Sequence, residues 1–144
     1  MTETDVQSLG RLVIDSPAEA VIHADRDGVI RFWNAGAERL FGYRRDEALG
    51  QSLDIIIPEN LRQRHWRGYQ QVMATGESRY AAGDVLSVPA LRKDGQRISL
   101  EFTVLPTRDA DGALTGIAAV LRDVTARWQE MKSLRQRLAQ LEGK

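Results

Sequence analysis

The spacing of hydrophobic positions changes several times along this chain, and each change marks an element. Val6, Leu9, Leu12 and Val13 recur at helical intervals and predict a short leading helix over residues 5–14. Asp15-Ser16-Pro17 ends it, because a residue before proline avoids the helical region. Residues 20–24 read as a first strand and 29–33 as a second, joined by Asp25-Arg26-Asp27-Gly28, where glycine supplies the positive φ of a hairpin turn. Asn34 is a polar stop. Short helical turns are expected over 35–41 and 44–49, with Gly42 and Gly50 at positions where helices commonly end. Leu53-Asp54-Ile55-Ile56-Ile57 runs into Pro58. The longest helix of the body is expected over 61–74, with Leu61, His65, Tyr69 (or Gly68), Val72 and Met73 on one stripe and Thr75-Gly76 closing it.

The second half reads with a strand period. Residues 79–91 are strand-like and Lys93-Asp94-Gly95-Gln96 is a turn. Over 97–106, Ile98, Leu100, Phe102 and Val104 alternate with Ser99, Glu101 and Thr103. Asp109-Ala110-Asp111-Gly112 is another turn, and 113–122 is the last strand. Two strands, several short helices and three further antiparallel strands predict an α+β fold with helices on one face of a sheet. From Thr125 the pattern is helical again. Met131, Leu134, Leu138 and Leu141 follow an a/d seam that Val124 extends one heptad back, so this helix is expected to pair with another chain or domain, the alternative being a solvated tail.

Composition narrows the possible functions. The chain has 144 residues, 42% hydrophobic and 28% charged, as in an ordinary globular domain. Formal charge is zero and the basic residues are scattered, so no field for nucleic acid is present. No apolar run approaches about 18 residues, so no membrane span is expected. The polar, acidic start is unlike a signal peptide, which makes a cytoplasmic location the expectation. The absence of cysteine removes disulfides, thiolate metal sites and thiol nucleophiles. No Ser-His-Asp set, phosphate-binding glycine loop or two-histidine metal spacing appears, so an enzyme is not expected. No kinase, cyclase or DNA-binding segment lies in these residues, which leaves both a free-standing protein and a piece of a longer one open.

Several motifs, in order and spacing, carry a family resemblance. They are Asp27-Gly28 with Trp33-Asn34, the run Ala37-Glu38-Arg39-Leu40-Phe41-Gly42-Tyr43, Gly50, the turn Arg92-Lys93-Asp94-Gly95, and Leu121-Arg122-Asp123-Val124-Thr125. Together they resemble a PAS domain, the sensor module of bacterial signalling proteins. The resemblance implies a five-stranded antiparallel sheet whose concave face and short helices enclose a pocket. It divides the chain into an N-terminal helical cap (1–16), a PAS domain (17–125) and a C-terminal output or dimerisation helix (126–144). It also implies a homodimer that passes strain in the sheet through that helix to an output signalling protein or domain. Asp123 and Thr125 stand at the strand-to-helix junction, where a carboxylate and a hydroxyl suit helix capping as well as signal transfer.

Within this family the segment Pro58-Glu59-Asn60-Leu61-Arg62-Gln63-Arg64-His65 resembles the haem-binding sensors of FixL type. There a proline-led turn precedes the helix that bears the proximal histidine. The resemblance implies b-type haem with His65 as the metal ligand, since a neutral imidazole nitrogen is a good donor to iron. Phe102 and Val104 match wall positions of those pockets; Tyr80, Val85 and Leu86 on the preceding strand, with Tyr69 on the helix, complete the expected site. One departure is clear. The arginine that hydrogen-bonds oxygen in FixL-like proteins falls near Val85 or Leu86, and neither can donate a hydrogen bond. Tyr80 or Arg79 would have to substitute, and a neutral pocket favours CO, NO or a redox role. Arg62, Arg64 and Arg67 suit haem propionates or a solvated helix face. Flavin is not expected: Trp33 reads as core, and covalent flavin photochemistry needs a cysteine. His23 and Trp66 read as surface residues, Trp66 alternatively as a lid. The competing reading is a cofactor-free or small-ligand PAS module for dimerisation and protein–protein signalling.

Overall fold

The computed structural model describes residues 1–77 and 85–143. In chain order the elements are α1 (Glu3–Ile14), β1 (Ala20–Asp25), β2 (Ile30–Trp33), α2 (Ala35–Phe41), α3 (Arg45–Ala48), a 3-10 turn (Leu53–Ile56), α4 (Glu59–Thr75), β3 (Leu86–Leu91), β4 (Arg97–Arg108), β5 (Leu114–Asp123) and α5 (Thr125–Glu142). The five strands form one antiparallel sheet in the order β2-β1-β5-β4-β3. The helices between β2 and β3 cover one face. The expected strand over 79–91 appears as Leu86–Leu91; Arg79 and Tyr80 lie outside the described residues.

Alternation on β4 sets the inner face as expected. Ile98 and Leu100 are buried and Phe102 and Val104 are half-buried, with Phe102 opposite Leu121 and Val104 opposite Ala119 in register. Ala20, Ile22 and Ala24 of β1 continue this face. Trp33 and Phe41 are fully buried, their ring centroids 5.2 Å apart. The Trp33 indole N–H donates to the Tyr43 carbonyl at 3.0 Å. Trp33 is therefore a core residue with its polar handle already used.

Asn34 is the buried polar hub. Its Oδ1 accepts from the N–H of Val21 (2.8 Å) and of Ala37 (2.9 Å), the second bond capping α2. Its Nδ2 reaches the carbonyls of Ile14 (2.7 Å) and Glu19 (2.8 Å). One amide thus ties the end of α1, the start of β1 and the first turn of α2 together. Arg45 adds a second tie, from Nε to the Trp33 carbonyl at 2.7 Å and from its guanidinium to Asp15 at 3.0 Å.

The α4 helix ends at Gly76 in the left-handed conformation, φ +75°. Tyr69 and Met73 face the core, with Leu61, His65, Trp66 and Val72 half-buried beside them. Gly68 sits on the exposed side, and a Cβ added there meets nothing within 4 Å. Gly68→Ala should therefore raise stability by about 0.5–1 kcal/mol, read as a higher urea midpoint with an unchanged slope. An unchanged or lower midpoint would show that this side of α4 is already engaged.

Candidate functional site

The second half of α4 is held by the β1–β2 turn. Gly28 lies in that turn with φ +77°, and an added Cβ would collide with the Trp66 ring. Trp66 rests on this bare backbone, and its indole N–H donates to Asp54 Oδ1 at 2.7 Å. It is a half-buried docking residue, which corrects its expected placement as lid or surface. Tyr69 sends its hydroxyl to the backbone carbonyls of Asp25 and Ala24. Burial first, then the charges of Asp25 and Asp27, push that phenol above its ordinary range. Tyr69, expected beside the cofactor, thus spends its hydroxyl on anchoring α4. Arg26 spans the same seam, donating to the carbonyls of Leu114 (2.6 Å) and Met73 (3.3 Å). Burial opposes the charge on Asp25, but the Arg31 guanidinium and the N–H groups of Val29 and Asp27 hold its carboxyl below the usual range.

His65 stands between these two aromatic anchors. Its ring centroid is 4.7 Å from that of Trp66, edge-on, and 5.8 Å from that of Tyr69. Its Nδ1 is buried without a hydrogen-bond partner. Desolvation lowers the imidazole pKa, and the Asp54 carboxylate only partly offsets this. The ring is therefore held neutral, the form that can donate a lone pair to a metal. The unfolded chain takes up a proton near pH 6.5 more readily than the native chain does. Stability should thus fall as pH drops through the ordinary histidine range. Urea midpoints measured from about pH 7 to about pH 5 should decline less steeply in His65→Phe than in the natural chain. Equal slopes would show that His65 is not the group responsible.

The wall residues form a second group. Leu86 lies opposite Phe102 in register, and Val104 follows on the same face; all three are half-buried. Phe102 and Trp66 both pack against the core that contains Tyr69 and Met73. Val85 departs from expectation: it lies just before β3, outside the paired strand, and is 62% exposed. Tyr80 lies outside the described residues. Arg62 donates to the Ile57 carbonyl at 3.1 Å, while Arg64 and Arg67 are exposed. His23 sits on the outer face of the sheet, its Nε2 3.0 Å from Thr107 Oγ1. Among the described residues no cluster of His, Cys, Asp or Glu is arranged to hold a metal, so a metal here would need a group that brings most of its own ligands.

Asp54 and Arg26 are positioning residues that sequence reasoning passed over, and Gly28 was read for its turn but not for the ring that rests on it. Only the pairing of a bare glycine with a facing tryptophan could have signalled them, and that pairing is not periodic.

The exit from the sheet is clasped. Asp123 Oδ1 accepts from the Thr125 N–H (2.9 Å) and hydroxyl (2.5 Å), while Thr125 Oγ1 accepts the Ser99 N–H at 2.9 Å. These bonds couple the start of α5 to β4 in addition to satisfying the helix end.

Comparison with known proteins fits this geometry. A family profile described as the PAS fold matches residues 14–129. The oxygen sensor protein DosP of Escherichia coli is 32% identical over 117 residues, 81% of this chain and 14% of that protein. The sensor protein FixL of Bradyrhizobium diazoefficiens is 30% identical over 129 residues, 85% of this chain and 25% of that protein. The chain thus spans a quarter or less of the length of either relative. The crystal structure of a PAS domain from Colwellia psychrerythraea superimposes with TM-score 0.73 at 21% identity, covering 85% of this chain and 99% of that one. No helix among the described residues is long and apolar enough to cross a membrane. With the profile spanning most of the body and the strand order on the page, the chain belongs to the PAS-fold family of sensory modules.

Proposed function

We propose that this PAS domain binds b-type haem through His65 and senses a diatomic gas or redox state. The observation that carries the reading is the buried, unpartnered Nδ1 of a neutral imidazole on α4. A buried polar atom left unpaired calls for an explanation, and an absent ligand is one. His65 would hold the metal, and Leu86, Phe102 and Val104 would give the apolar wall. A bound haem would supply an iron centre that takes a diatomic gas or changes oxidation state. Those three side chains carry no hydrogen-bond donor, which favours CO or NO over dioxygen. Trp66 and Tyr69 would fix the imidazole, through Asp54 and the β1–β2 turn, so that a shift at His65 reaches β1. From there Glu19, which pairs with Arg122 at 3.3 Å, and the clasp at Asp123 lead to α5. The domain would act as a homodimer and hand the change to an output protein or domain through α5, without catalysis of its own.

Haemin titrated into the full chain should be taken up at one per chain, with quenching of tryptophan fluorescence that saturates at the same point. A chain that stays colourless and unquenched contradicts the reading. The second reading, a cofactor-free dimerisation module, rests on the aromatic packing already around His65 and on the exposed seam of α5.

A further inference from the structure

We propose that Arg26 and Arg108 form a double latch that joins the C-terminal end of α4 to the β4–β5 hairpin, so that a displacement of α4 enters the two strands that end at the α5 clasp. The latch itself needs no ligand. Only its last step, from the clasp into α5, rests on the reading of α5 as the output helix.

The last carbonyls of a helix have no partner within it and must find one elsewhere. At the end of α4 the Val72 carbonyl accepts the Gly76 N–H at 2.9 Å, and two guanidiniums take further carbonyls. Arg26, in the β1–β2 turn, donates from Nη2 to the Met73 carbonyl at 3.3 Å and from Nη1 to the Leu114 carbonyl at 2.6 Å. Arg108, at the end of β4, donates from Nη2 to the Gly76 carbonyl at 2.8 Å and from Nη1 to the Gly112 carbonyl at 2.9 Å. The same fork is thus used twice, from two elements. In each, one nitrogen holds α4 and the other holds the hairpin. Among the described residues neither arginine is paired with a carboxylate. The strand register slips between Thr107 and Arg108, and a bulge of this kind re-aims a side chain.

The C-terminal end of a helix attracts any cation, so a lysine at either place would satisfy the electrostatics alone. What a lysine lacks is the planar fork. Its ammonium is a point charge on a flexible stem, whereas a guanidinium fixes two acceptors relative to each other. Two forks therefore set the distance between the end of α4 and the hairpin. The candidate site lies on the same helix, with His65 about two turns and Tyr69 about one turn before Met73. From the hairpin, β4 leads back to Ser99 and β5 leads on to Asp123, and these two residues hold Thr125. The latch meets β5 at Leu114, the opposite end from Arg122, so this route is separate from the one through Glu19.

Native-state hydrogen exchange of the full chain, without haemin, tests the latch. The Gly76 amide reports on α4, and the Asp109 and Gly112 amides report on the hairpin. Arg26→Lys and Arg108→Lys should each speed exchange in both elements about threefold, because one fork remains, and the double variant about a hundredfold, well beyond the product of the two. The Ile22 and His23 amides of β1 should keep their natural rates. Lysine variants that match the natural chain would show that charge at the helix end suffices. Lost protection in only one of the two elements would show that nothing joins them, and equal speeding in β1 would mark a global loss of stability. Each of these results overturns the latch. The passage into α5 has its own arm. Tyr69→Phe loosens α4 one turn before the latch and should change exchange at the Val124 amide, which donates to the Ser99 carbonyl. That change should be several-fold smaller when both lysine substitutions are present. Equal responses in the two backgrounds, or none in the natural one, overturn the passage into α5.

Discussion

Replacing Asn34 by alanine should cost about 3–5 kcal/mol, a large fraction of the roughly 5–15 kcal/mol that stabilises an ordinary domain. The loss has two sources. Removing the cap on α2 accounts for about 1 kcal/mol. The remainder comes from the N–H of Val21 and the carbonyls of Ile14 and Glu19, which lose their partner in a place that water reaches poorly. Because the carbonyl partners lie between α1 and β1, the leading helix should also loosen. Urea unfolding measures the first effect, and limited proteolysis near Ser16 measures the second. Asn34→Asp separates the two halves of the amide: it keeps the accepting oxygen and loses both donors. It should be destabilised as well, with the α1 junction affected most. A loss below about 1 kcal/mol in Asn34→Ala would mean that the hub is replaceable by water.

Gly28→Ala should cost about 2–4 kcal/mol and disturb the candidate site at a distance. A left-handed φ of +77° carries a penalty for any Cβ, and the Cβ also runs into the Trp66 ring. The clash falls on the far edge of the indole, whose N–H holds Asp54, so relieving it should strain that bond and disturb the neighbouring His65. The expected signature is a red-shifted tryptophan emission together with a weaker hold on haemin. Trp66→Phe, which shortens the ring, should restore much of the stability when combined with Gly28→Ala. An unaltered emission spectrum in Gly28→Ala would show that Trp66 does not bear on this turn.

Much of the architecture was legible because it depends on local period and local chemistry. The alternation on β4, the glycines at Gly28, Gly42 and Gly76, and the a/d seam of α5 each correspond to an element found in the structure. Their cause lies within a few residues of themselves. Leu53–Ile56 illustrates the limit: an apolar run is compatible with several conformations, and a 3-10 turn forms because Ser52 caps it by accepting the Asp54 N–H at 3.1 Å. The site was less legible for the same reason. His65 could be found from its segment, but the roles of Trp66 and Tyr69 depend on a turn some 40 residues earlier in the chain. Both side chains have an apolar body and a polar tip, and only the fold decides whether the tip meets a ligand or the backbone. Asn34 reads in sequence as a strand stop; its five side-chain hydrogen bonds come from the way α1, β1 and α2 converge. Val85 was expected on the same strand as Leu86, but the strand begins only at Leu86 and the side chain before it is exposed.

The Soret absorption of the haemin-loaded full chain bears most directly on His65. The natural chain should show a band typical of an imidazole-ligated haem. In His65→Ala that band should shift or vanish, and added free imidazole should bring it back. A His65→Ala chain that keeps the natural spectrum without imidazole would contradict the account, because some other side chain would then be the ligand.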